Sequence, residues 1–154
     1  MQFDDNGYLV PYGAIPSNLN EIVQEFCFTE QRAVLYQKFV DFMAELQKLL
    51  SAGFEIWVNG SFTSKKNVPN DIDIAIFLDS ELYTKLESIL LPFTEFSYHQ
   101  KNKIDCYFVR VYLKEHKDYF RYEHDRKWWF NDFSQVRNKK TNKLSPKGFL
   151  QLNF

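Results

Sequence analysis

The residues best suited to chemistry sit in one short stretch, "WVNGSFTSKKNVPNDIDIAIFLD", residues 57 to 79. Asp71 and Asp73 stand there one residue apart, where the chain is otherwise rich in side chains that belong in a core. Side chains alternate across a strand, so both carboxylates share one face, about 7 Å apart along the chain, while Ile72, Ile74, Ile76 and Leu78 take the other. Like charges at the margin of a core repel each other and are costly to leave unpaired. A hard divalent cation relieves that conflict, because Mg²⁺ (or Mn²⁺) takes carboxylate oxygens and keeps positions open for water and phosphate. Asp105, in "KIDCYFV", is a third candidate. If its strand lies beside the first, three carboxylates converge into the ligand set of a two-metal displacement at phosphorus. Asp71 and Asp73 would then hold both ions, and Asp105 would bind the first and help to deprotonate the acceptor hydroxyl.

Gly60-Ser61 offers the complementary half. It follows a strand directly, and a residue without Cβ lets the backbone approach a phosphate closely. The Ser61 hydroxyl and the amides after it suit the terminal phosphates of a nucleoside triphosphate, and Lys65 and Lys66 in the same loop can neutralise them. Each piece alone has an ordinary structural reading: a turn, a solvated strand edge, a paired aspartate. The combination in order is far more specific.

Periodicity supplies the elements that must position these groups. Thr29 reads as the cap of a long helix, with Glu30 in its first turn, an apolar stripe through Leu35, Phe39, Phe42, Leu46 and Leu49, and a stop at Gly53. Ser17 reads as the cap of a shorter helix before it. Strands are predicted over 54–59, 71–78 and 104–113, with a weaker one over 94–98. A short helix follows Asp79-Ser80, a partly helical charged and aromatic segment follows residue 113, a basic loop spans 137–147, and "GFLQLNF" forms a last strand. This predicts an α/β chain of the α+β kind, a small mixed β-sheet with helices packed on it. It is read as one domain: residues 1–28 an arm and short helix, 30–113 the core, and 114–154 an aromatic and basic extension.

Gly60, Ser61, Asp71, Asp73 and Asp105 together resemble the signature of the DNA polymerase beta-like nucleotidyltransferase superfamily: Gly-Ser, a loop, Asp-x-Asp and a third strand carboxylate. More narrowly, the chain resembles a group of small bacterial nucleotidyltransferase-like proteins. The residues that carry this are "FDDNGYLVPYG" at 3–13, Gly-Ser-Phe with Pro-Asn-Asp-Ile-Asp within 60–73, and Lys147-Gly148 before the last strand. The loop "FTSKKNVPN" has lysines where minimal members carry a glycine and an arginine. The resemblance implies transfer of a nucleoside monophosphate from a nucleoside triphosphate, ATP being the expected one, to a hydroxyl on protein or RNA. It also implies a setting in a toxin–antitoxin or phage-defence module, with a cognate partner protein. The alternative is a catalytically silent module of the same fold, acting by docking or as a nucleotide sensor.

Composition narrows the rest. A net charge of −1 over 154 residues gives no general attraction to nucleic acid, so any such contact needs a local patch. The patch available is Arg137, Lys139, Lys140, Lys143 and Lys147, which also reads as a solvated loop. Trp128, Trp129, Phe130 and Phe133 suit base stacking, a partner surface or simple core packing. Cys27 and Cys106 lack paired spacing and read as small buried residues of a reducing compartment. His99, His116 and His124 show no ligand spacing and receive no role. The opening lacks the pattern of a signal peptide, and no apolar run approaches the roughly 20 residues of a membrane span, so the expected location is cytoplasmic.

Overall fold

A computed structural model describes residues 1–50, 52–137 and 141–154. The opening arm forms a small antiparallel pair, β1 (Gln2–Phe3) and β2 (Leu9–Val10), then β3 (Gly13–Pro16). Helix α1 (Leu19–Phe26) is capped by Asn18, one residue later than expected: the Asn18 side chain accepts from the Glu21 amide at 3.0 Å. The Ser17 hydroxyl instead donates to the Glu21 carboxylate at 2.9 Å.

Helix α2 (Glu30–Leu49) starts at Thr29, whose hydroxyl accepts from the Arg32 amide. Its predicted stripe is the buried one, through Leu35, Phe39, Phe42, Met43 and Leu46. It ends at Leu50, earlier than Gly53. There follow β4 (Glu55–Asn59), β5 (Ile72–Asp79), α3 (Ser80–Leu90) capped by Asp79, and a 3-10 turn at Leu91–Thr94. The strand expected at 94–98 is instead part of a short helix, α4 (Phe96–Asn102). There Tyr98 packs edge-on against Phe42 and Phe93, and Lys103 closes the helix in a left-handed conformation. Tyr98 is partly buried there against the main core, a contact that the local pattern of "TEFSY" does not reveal.

The chain continues through β6 (Ile104–Val111), α5 (Tyr119–Phe133), a short hairpin of β7 (Gln135–Arg137) with β8 (Leu144–Pro146), and β9 (Gly148–Asn153). Of the expected basic loop at 137–147, Arg137 belongs to β7 and residues 144–146 form β8, while Lys139 and Lys140 lie outside the described residues.

Five strands form the main sheet in the order β3, β9, β4, β5, β6. The strands β3 and β9 are parallel, β4 is antiparallel to both β9 and β5, and β5 and β6 are parallel. The arm and the C-terminal segment thus supply two of the five strands and are integral to the core. Alternation along β5 is as the sequence predicts. Ile72, Ile74, Ile76 and Leu78 are buried against α1, α2 and α3, each contributing about 1.5–3 kcal/mol by transfer from water. Ala75 and Phe77 face the other way, under α5, with Trp57, Val109, Phe133 and Phe149. Asp73 shares that second face where β5 begins, at one end of the sheet between β4 and β6.

Candidate active site

Register brings the acidic residues together. Asp73 is paired across the ladder with Asn59 of β4 on one side and with Asp105 of β6 on the other. The three residues make one row at a single end of the sheet, and Asp71 lies two residues beyond Asp73. A hydrogen bond from the Ile72 amide to the Lys103 carbonyl, 3.0 Å, locks the starts of β5 and β6 side by side. The expectation that Asp105 would lie next to the Asp-x-Asp pair is met by this ladder.

The carboxylates are held apart by different partners. Asp71 Oδ2 lies 3.0 Å from Nε2 of His99, which α4 presents. Asp105 Oδ2 accepts from the Tyr107 hydroxyl at 2.8 Å. The Asp73 carboxylate makes no hydrogen bond or ion pair among the described residues, and it sits directly against Gly60: a Cβ built there would lie 2.4 Å from Asp73 Oδ2. Gly60 also has φ of +84°, a conformation that side-chain-bearing residues rarely adopt. Among the described residues, no three His, Cys, Asp or Glu side chains are close enough to hold one metal ion together.

The electrostatics record the strain of this row. Burial, then the charges of Asp71 and Asp105, push the Asp73 carboxyl up to about 6, against the opposing pull of Lys147 and His99. Burial brings the Lys147 ammonium down to about 8, with Asp73 and Asp132 acting in its favour. Burial and the bond to Asp105 raise the Tyr107 hydroxyl above its usual value. Asn59, only 6% exposed, leaves its Oδ1 buried without a partner among the described residues. These features suit a divalent cation: oxygen donors, excess negative charge, an orphaned acceptor and a carboxylate with no protein partner. His99 and Tyr107 each engage one carboxylate oxygen, Oδ2 of Asp71 and Oδ2 of Asp105.

The turn after β4 is closed by its own hydroxyls. Thr63 donates to the Gly60 carbonyl at 3.3 Å and Ser64 to the Ser61 carbonyl at 2.8 Å. The loop beyond is tied to α2 by Arg32, a fully buried guanidinium that donates to the carbonyls of Phe26, Phe62 and Lys66. Its guanidinium serves the backbone of this loop. Lys65 Nζ lies 4.0 Å over the Phe3 ring, and its amide donates to the Gly7 carbonyl, joining the loop to the N-terminal arm.

A cleft of about 990 Å³ opens along this edge. Gly60, Ser61, Asp71 and Asp73 line it, with Lys65 and Lys66 on one wall; Asp105 lies outside its lining. The volume is at the upper end of the range for small-molecule sites and ample for a nucleoside triphosphate. Of the C-terminal aromatic residues, Phe133 is core, Trp129 packs on Tyr107 with rings 4.5 Å apart, and Trp128 is exposed. A depression of about 260 Å³ beside Trp128 shares Asp132, Gln135 and Arg137 with the main cleft.

Sequence reasoning missed three residues here. His99 meets Asp71 across 28 residues, a pairing without any spacing signal. Asn59 is marked only by its place before the Gly-Ser. Lys147, read as part of a solvated loop, is buried in the floor of the cleft, with Nζ 3.3 Å from the Gly60 carbonyl. The hint was the Lys-Gly pair before the last strand. Gly148 is needed there because a Cβ would stand 2.6 Å from the Pro11 carbonyl oxygen.

Among the described residues no helix is long and apolar enough to cross a membrane. No curated protein and no solved structure matches the chain. A family match spans nearly its whole length: over residues 1–153 the chain belongs to a family of unknown function, DUF6932.

Proposed function

We propose that this chain is a metal-dependent nucleotidyltransferase that moves a nucleoside monophosphate from a nucleoside triphosphate, ATP first among them, to a hydroxyl on protein or RNA. The observation that carries the reading is the row Asn59–Asp73–Asp105, of which Asn59 and Asp73 line a cleft of nucleotide size beside Gly60. A purely structural role gives no reason to keep the Asp73 carboxylate half-buried, without a side-chain partner among the described residues and close to two further carboxylates.

Asp71, Asp73 and Asp105 would hold Mg²⁺ or Mn²⁺, which when bound supplies charge neutralisation for the triphosphate. The chain's own residues do the rest. The Gly60-Ser61 turn seats the phosphates, with Lys65 and Lys66 at the wall. Asp105 receives the proton of the acceptor hydroxyl as its oxygen bonds to the α-phosphorus; the bond from that phosphorus to the α–β bridging oxygen breaks, and pyrophosphate leaves. Resemblance to small bacterial nucleotidyltransferases supports a cytoplasmic toxin–antitoxin or defence setting.

One observation favours a second reading, a module of the same fold that docks or senses nucleotide without turnover: Asp71 and Asp105 are already engaged by His99 and Tyr107, and no assembled metal group stands among the described residues. Calorimetric titration with an ATP analogue, with and without Mn²⁺, distinguishes the two when set beside an assay of label transfer. The enzyme binds the analogue in a Mn²⁺-dependent way and transfers label, and a sensor binds but transfers nothing.

A further inference from the structure

Lys147 lines the same cleft as Asp73, and its side chain has few alternatives. The residue is 5% exposed. Its backbone is fixed on both sides, the amide donating to the Ser134 carbonyl at 2.8 Å and the carbonyl accepting from the Gly13 amide at 3.3 Å. Gly148 beyond it is packed too tightly for a Cβ. The ammonium group has three N–H donors, and the Gly60 carbonyl takes one. No ion pair within 4.0 Å satisfies it among the described residues, although Asp73 and Asp132 both act on it. A charge buried with one hydrogen bond is costly unless something in the site completes its shell. What adjoins it is the cleft, on the side of the Gly60-Ser61 turn.

We propose that Lys147 is the anion-binding residue of this cleft: its ammonium receives a phosphate oxygen of a polyphosphate ligand seated on the Gly60-Ser61 turn. It is a fixed cation built into the floor, where Lys65 and Lys66 are exposed at the wall. The inference rests on the nucleotide reading of the cleft and assigns the residue that grips the phosphates. It carries a consequence of opposite sign for two ligands. Removing the ammonium takes away a charge-assisted hydrogen bond to the anion, and leaves the carboxylate row more negative for a divalent cation. A scaffolding lysine would weaken both ligands together or neither.

The test is calorimetric titration of the full chain with tripolyphosphate, and paramagnetic resonance titration with Mn²⁺ alone, on wild type, Lys147→Met and Lys147→Arg. Circular dichroism and melting confirm that each variant is folded, and Lys147→Gln takes the place of Lys147→Met if the latter is not. Lys147→Met is expected to lose roughly 10- to 100-fold in tripolyphosphate affinity. It should hold Mn²⁺ as tightly as wild type or more tightly, and Lys147→Arg should keep most of the anion affinity. Wild-type binding of tripolyphosphate that survives in folded Lys147→Met overturns the proposal and leaves the nucleotide reading standing. Loss of both ligands in a folded variant also overturns it. A wild-type chain that binds neither ligand overturns the nucleotide reading, and this inference with it.

Discussion

Asp73 concentrates the tension of the site in one residue. Its carboxyl titrates near 6 in the folded chain against an ordinary value of 3.8, chiefly through burial. The folded state therefore holds that proton more tightly than the unfolded state. The sign follows: as pH rises from about 4 to 6 the folded chain loses stability, and above 6 the penalty stays constant. At about 1.4 kcal/mol per unit, the full penalty is on the order of 2–3 kcal/mol. Without metal, Asp73→Asn should therefore raise stability to urea at pH 7 by about 2 kcal/mol, a gain that fades below pH 4. Denaturation curves at the two pH values check this; destabilisation at pH 7 would mean that Asp73 is a structural partner. The same variant should abolish nucleotide transfer, so stability and activity move in opposite directions. Asp71, Asp73 and Asp105 were legible in the sequence because period-two alternation puts a carboxylate where only an apolar or a liganded side chain belongs. His99 and Lys147 were not, since each reaches the row through tertiary packing from a distant segment.

Elements hold the row in place through a few close approaches. Arg32 fastens the 62–66 loop to α2 through three carbonyls in a fully buried position. Arg32→Ala would strand those acceptors, and a loss of about 3 kcal/mol or more is expected by thermal or chemical denaturation. Gly148→Ala pushes a methyl group into the Pro11 carbonyl, which is backbone and cannot swing aside. A cost of about 2–3 kcal/mol is expected, with displacement of Lys147 as its accompaniment. At this scale the sequence was most readable where signals agreed. In α2 a cap, a periodic stripe and length coincide, and β4, β5 and β6 are apolar runs bounded by turns. It was least readable at α4, seven residues with no side-chain cap, where Tyr98 meets the core through a contact that the local pattern does not reveal. The β7–β8 hairpin was hidden for a related reason: its strands are three residues each and mostly exposed, so burial leaves no pattern.

At the scale of the molecule, the cleft draws on both ends of the chain. The arm's turn at residues 3–8 forms one wall, β9 begins beside its floor, and Asn59 and Asp73 of the row line the cleft between them. The arm, the central region and the C-terminal segment share one sheet. Removing residues 1–6 takes away Phe3, against which Lys65 rests, and should weaken binding of an ATP analogue several-fold while far-UV circular dichroism changes little. The most direct test of the central claim is transfer of label from each nucleoside triphosphate, with Mg²⁺ or Mn²⁺, to protein or RNA in a cell lysate, beside Asp71→Ala/Asp73→Ala. A nucleotidyltransferase gives metal-dependent label on an acceptor that disappears in the double variant. Absence of transfer by a wild-type chain that still binds nucleotide, or transfer that survives in the double variant, would contradict it.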